Sequence, residues 1–100
     1  MELNEEASKA FGKADGDLNR VYGALVEKVS PAGKEALRRA QRTWVAFRDQ
    51  ECDFETMGSQ GGSIHGMVAL QCQTRLTEAR TKDLGAQATC SEGDPSCGAQ

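Results

Sequence analysis

His65 is the one histidine of the chain and so the first place to look for general acid–base chemistry near neutral pH. Ser63 precedes it by two residues, a spacing that on a helix turns the two side chains roughly 200° apart; only a loop would let them pair. The run Gly61-Gly62-Ser63-Ile64-His65 lacks the closing glycine of a nucleophile elbow, and no strand leads into it. Carboxylates cluster at Asp15 with Asp17, at Glu51 with Asp53 and Glu55, and at Glu92 with Asp94. Glycoside chemistry needs two carboxylates flanking a cleft, whereas these spacings suit solvated helix surfaces or ion pairs. The chain has no phosphate loop, dinucleotide fingerprint or His-Glu metal motif. We therefore expect no catalytic residue, no metal site and no cofactor.

The four cysteines, Cys52, Cys72, Cys90 and Cys97, form no Cys-x-x-Cys unit, and His65 is not at zinc-ligand spacing from any cysteine pair. They read as disulfides. Four cysteines allow three pairings. Cys52 and Cys72 lie on either side of a glycine-rich turn, and a bridge between them would be worth roughly 3 kcal/mol through loop closure. Cys90 and Cys97 flank Ser-Glu-Gly-Asp-Pro-Ser, whose turn residues favour a local bridge. Disulfides imply an oxidising compartment, periplasmic or secreted. Met1 is followed by Glu2, Glu5 and Glu6 rather than by a basic leader, so the expectation is an export signal removed and Met1 standing in its place.

Three helices must position these residues. Leu3, Ala7, Phe11, Ala14, Leu18, Val21 with Tyr22, Leu25 and Val29 recur at steps of three and four, predicting a helix over about 2–29. Gly12, Gly16 and Gly23 weaken it or mark close contact with a neighbour. Ser30-Pro31 is a cap followed by a first-turn proline and opens a second helix over about 31–55. Its inner stripe runs through Leu37, Ala40, Trp44, Phe47 or Arg48, and Cys52. Gly58, Gly61 and Gly62 enforce a loop. Ser63 is then the expected cap of a third helix over about 63–85, packed through Ile64, Val68, Cys72, Leu76, Ala79 and Leu84, with Gly85 ending it. The prediction is an all-α fold of three antiparallel helices with a disulfide-stapled hairpin: a helical domain over 1–85 and a polar tail over 86–100.

Composition narrows the function. One hundred residues with 38% hydrophobic content support one modest core. A net charge of −3 supplies no basic footprint for nucleic acid, and no stretch approaches the roughly 20 apolar residues of a membrane span.

Some polar residues recur in a pattern that packing alone does not demand. They are Ala14-Asp15-x-x-Leu18-Asn19-x-x-Tyr22, then Leu37-x-x-Ala40-Gln41-Arg42-x-Trp44-x-x-x-Arg48-Asp49-x-x-Cys52, then Gly61-Gly62-Ser63, Cys72 and Leu76-Thr77-x-x-Arg80-x-x-x-Leu84. In this order and spacing, over about residues 3–85, the chain resembles the lysozyme inhibitor LprI-type family. The Cys-x-Glu-Gly-Asp of the tail adds to the likeness. Many members carry a cysteine near the start of the first helix, where this chain has Glu5-Glu6. The resemblance implies a small, helical, exported bacterial protein that binds and inhibits lysozyme.

Asp15, Asn19, Tyr22, Gln41, Trp44, Arg48, Asp49 and Arg80 read as structural polar residues, with Asp15, Arg48 and Arg80 placed to form interhelical ion pairs. The glycine-rich loop over 58–66 is then the surface for a partner. Its Ser59, Gln60, Ser63 and His65 offer hydrogen bonds that mimic those of a sugar in a carboxylate-lined cleft. The leading expectation is a monomer or weak dimer that occludes a basic muramidase; the alternative is a periplasmic interaction or envelope-stress module without a lysozyme target.

Overall fold

A computed structural model of the chain describes residues 2–90 and 93–97, Glu2 by its backbone alone. Three helices carry the chain: α1 (Glu2–Lys28), α2 (Pro31–Glu55) and α3 (His65–Ala88), with a single 3-10 turn at Met57–Ser59. Among the described residues there is no strand.

Each helix reverses the direction of the one before. Pro31 occupies the first turn of α2, and the Ser30 hydroxyl accepts from the Gly33 amide at 3.0 Å, so one short junction ends α1 and starts α2. The two reversals leave α1 and α3 parallel and in register. Asn4 lies beside Gly66 at one end, and the Lys28 ammonium donates to the Ala88 carbonyl at the other. This α1–α3 pair is the main packing unit. The helix α2 leans on α3 and meets α1 through long side chains only.

The core is narrow. Leu18, Leu25 and Leu84 are fully buried, with Val21, Tyr22, Val29, Leu37, Trp44 and Ala88 packed around them. Along α1 the buried residues Ala7, Ala14, Leu18 and Leu25 keep one face, so the predicted stripe holds there. The molecule measures 50 × 23 × 18 Å. Its radius of gyration of 15.8 Å exceeds the roughly 13 Å of a compact chain of this length, so the bundle is a rod with little interior.

Several local expectations are corrected. Gly12, Gly16 and Gly23 neither break α1 nor touch a neighbour: a Cβ at each would find nothing within 4 Å. Ser63 does not cap α3. The loop satisfies its own backbone instead, through Gln60 N–H to the Met57 carbonyl, Gly62 N–H to the Ser59 carbonyl and His65 N–H to the Gly62 carbonyl, and α3 starts after Ile64 without a side-chain cap. Gly85 does not end α3; the helix continues over Ala86, Gln87 and Ala88, and Thr89 caps it. Leu3, Ile64 and Phe47 are exposed, and Arg48, not Phe47, faces inward from α2. No helix of the described residues is long and apolar enough to cross a membrane.

Candidate functional site

Two regions collect the residues singled out by the sequence. The first is the loop end, where α1 begins, α2 ends and α3 begins. Cys52 and Cys72 are disulfide-bonded there with their Cα atoms 5.7 Å apart, tying the last turn of α2 to α3. Arg75 of α3 adds an interhelical ion pair to Glu55 at 2.6 Å. A hydrogen bond from Glu51 raises its own carboxyl pKa, while that bond and Arg75 lower the Glu55 carboxyl. This carboxylate pair is therefore a brace between α2 and α3 on an exposed surface.

Between these anchors the loop is held by short-range bonds. Thr56 is buried, and its hydroxyl donates to the Cys52 carbonyl at 2.6 Å. The Ser59 hydroxyl lies 3.0 Å from the Thr56 carbonyl oxygen and 2.9 Å from Nδ1 of His65. The one hydroxyl proton can serve either the Thr56 carbonyl or Nδ1 of His65; when it serves the carbonyl, the ring bonds to Ser59 as its Nδ1–H tautomer. Gly61 has φ +80°, and a Cβ on Gly62 would lie 3.1 Å from the Ser59 carbonyl, so both glycines are required by the turn.

Of the four loop residues proposed for contact, Ser59 and His65 thus bind each other, while Gln60 and Ser63 are exposed. Sequence reasoning missed the apolar residues beside them. Leu3, Met57 and Ile64 are 59%, 61% and 54% exposed at this same end. Leu3 and Ile64 fit helical stripes in the sequence, and only the end of the bundle, where no third helix covers them, leaves them bare. Glu5, Glu6 and Asp53 are exposed around this end.

The second region is a cleft of about 280 Å³ between α1 and α2. Asp15, Asn19 and Tyr22 line it from α1, facing Gln41, Arg42, Trp44 and Arg48 of α2. These are residues of the pattern that carries the family resemblance. The Arg48 side chain is only 13% exposed. Its guanidinium lies 5.5 Å from the Phe11 ring centroid and 5.3 Å from that of Trp44, and its Nε donates to Asp49 at 3.1 Å. Arg80 approaches Trp44 at 5.9 Å and donates to the Gln41 side-chain oxygen at 3.0 Å. Burial lowers the basicity of Arg80, and Asp83 partly opposes this.

The expected interhelical ion pairs of Asp15, Arg48 and Arg80 are not found among the described residues. Arg48 pairs within α2, Arg80 pairs with a neutral amide, and stacking on aromatic rings does the bridging between helices.

In the tail, Cys90 and Cys97 are bridged with Cα atoms 6.1 Å apart. Asp94 accepts from the Ser96 amide at 2.9 Å and from its hydroxyl at 2.7 Å, which lowers the Asp94 carboxyl pKa. Glu92, the other member of that acidic pair, lies outside the described residues. No group of His, Cys, Asp and Glu among the described residues has the arrangement of a metal site.

Comparison with known proteins gives the same grouping as the residues. The family model described as lysozyme inhibitor LprI matches residues 1–84, and the chain belongs to that family. An uncharacterized protein of Rhizobium meliloti (strain 1021) is 32% identical over 97 residues, covering 84% of this chain and 70% of the relative. The uncharacterized protein YecT of Escherichia coli (strain K12) is 27% identical over 86 residues, covering 82% of this chain. The match spans 53% of YecT, about half its length. No solved structure matches at comparable significance.

Proposed function

We propose that this member of the lysozyme inhibitor LprI family is an exported bacterial binding protein that blocks a basic lysozyme-like muramidase by seating its loop end in the enzyme's cleft. One observation carries the reading beyond family membership: a loop that is both exposed and held rigid. The Cys52–Cys72 bridge and the Ser59–His65 hydrogen bond fix it before any partner arrives, which lowers the ordering cost of binding. Met57, Ile64 and Leu3 supply apolar contact, and Gln60 and Ser63 supply hydrogen bonds suited to a cleft built for sugars. Glu5, Glu6 and Asp53, within a net charge of −3, attract a basic enzyme. The disulfides suit export.

The test is binding of the oxidised protein to a c-type lysozyme by calorimetry, with Met57→Glu/Ile64→Glu as the loop variant. Binding by the parent chain and its loss in the variant supports the reading; equal binding by both removes the loop end as the contact.

A second reading, an envelope interaction module without an enzyme target, is favoured by the α1–α2 cleft, which lies away from the loop and sets Asp15, Asn19, Gln41 and Arg42 beside the rings of Tyr22 and Trp44. Capture of an envelope protein and no muramidase, lost in Asp15→Ala, supports it.

A further inference from the structure

The helix α2 buries only Cys52 fully and carries an uncharged stripe along one flank, whose first residues, Ala36 and Ala40, stand at the rim of a groove shared with Leu25, Val29 and Leu84. Ala36, Ala40, Thr43, Phe47, Gln50 and Phe54 follow one another at steps of four and three, the seam spacing of a coiled coil, and every one of them is exposed. Phe47 is 51% and Phe54 68% exposed. The side chains that pack α2 on its own bundle are Leu37, Gln41, Trp44 and Arg48, with Ala36 and Ala40 at the edge of that contact and Phe47, Gln50 and Phe54 exposed beyond it.

The sizes along this stripe identify its occupant. They run from small at the start of α2 to large at its end. A parallel copy would set Phe54 on Phe54 and Ala36 on Ala36, wedging the helices apart at one end. An antiparallel copy centred between Ala40 and Gln50 sets Phe54 against Ala36, Gln50 against Ala40 and Phe47 against Thr43. Each large side chain then meets a small one and the spacing is uniform. The same register brings Ala46 to Ala46 on the twofold axis. It also places Arg39 opposite Asp53, twice by symmetry. Both are exposed, and neither forms an ion pair within its own chain among the described residues. The surface is thus self-complementary in shape and in charge, as a twofold interface must be.

We infer that this flank of α2 is a dimerisation surface for a second copy of this chain, packed antiparallel through Ala36, Ala40, Thr43, Phe47, Gln50 and Phe54. The arrangement leaves the two loop ends at opposite poles; it shares Asp53 with the inhibitor reading, and its test uses no lysozyme, so the failure of either is distinguishable from the failure of the other.

Sedimentation equilibrium of the oxidised chain over rising concentration is the experiment, with circular dichroism to verify that each variant is folded. The expected mass approaches twice 10.7 kDa. Phe47→Glu and Phe54→Glu, both at exposed positions that the fold does not need, raise the dissociation constant by about tenfold or more. Arg39→Asp does the same through a new repulsion with Asp53, and the double exchange Arg39→Asp/Asp53→Arg restores the dimer. A parent chain that stays at 10.7 kDa up to about 1 mM overturns the proposal, because association weaker than that is not specific. So does a dimer unaffected by both phenylalanine variants, or a double exchange that remains monomeric.

Discussion

Thr77 sits in the middle of α3 with no exposed surface, and its hydroxyl has no hydrogen-bond partner among the described residues. Its neighbours on the same helix show the usual solution. Thr74 donates to the Leu70 carbonyl at 2.8 Å, and Thr81 donates to the Thr77 carbonyl at 2.9 Å. A buried hydroxyl without a partner costs about 1–3 kcal/mol. Valine has nearly the same shape and a similar helix propensity, so Thr77→Val removes the cost without opening a cavity or loosening the helix. The expected outcome is a stabilisation of about 1–2 kcal/mol. For a domain of this size each kcal/mol raises Tm by roughly 4–8 °C. Urea unfolding of the oxidised protein, followed by helical circular dichroism, measures it; the midpoint should rise with the slope unchanged. Thr81→Val is the control, because that hydroxyl is bonded, and it should be neutral or destabilising. A Thr77→Val protein less stable than the parent, or a Thr81→Val protein stabilised equally, refutes the reasoning.

Other substitutions test other parts of the account. Gly12→Ala, Gly16→Ala and Gly23→Ala each add a Cβ into open space on α1 and should stabilise by up to about 1 kcal/mol, visible as successive rises in Tm; a fall would mean that these glycines pack against something. Arg48→Lys keeps the charge but not the planar group held between Phe11 and Trp44, so it should destabilise by about 1–2 kcal/mol in the same denaturation assay; parent-like stability would show that charge alone matters there. Asp17, Glu55 and Asp94 have lowered pKa values, through Lys13 and Arg20, through Glu51 and Arg75, and through Ser96. Their contributions are present above the ordinary carboxylate range and are lost as pH falls through the lowered values, while Glu51, raised by Glu55, acts in the opposite sense. The urea midpoint should therefore be lower at pH 3 than at pH 7, and a midpoint that rises on acidification would contradict this balance.

Much of the fold is legible in the sequence because its signals are local. Ser30-Pro31 carries its own mechanism, and the cap bond to Gly33 forms where the residue types require it. Apolar recurrence along α1 picks out the face that packs on α3. The limits of α3 are less legible, since both Ser63 and Gly85 have the chemistry of helix ends. The loop's own backbone bonds make the first unnecessary, and good helix formers after Gly85 override the second.

The phase of α2 is ambiguous for a related reason. Phe47 and Arg48 are adjacent, and hydrophobicity favours Phe47 inside. The rings of Phe11 and Trp44 offer a guanidinium a better place than water alone suggests, and Phe47 turns outward. The candidate site follows the same pattern. The loop and its bridge are visible in composition and cysteine spacing. The hydrogen bond between Ser59 and His65, and the exposure of Leu3, Met57 and Ile64, depend on how three helix ends meet, which no single segment encodes.

The most direct test of the central proposal is the rate at which a c-type lysozyme clears a peptidoglycan suspension in the presence of this protein. Dose-dependent protection by the oxidised parent, much reduced by Met57→Glu/Ile64→Glu and by opening the Cys52–Cys72 bridge, is the predicted result. Clearance unchanged at every molar excess of the folded, oxidised protein would contradict it.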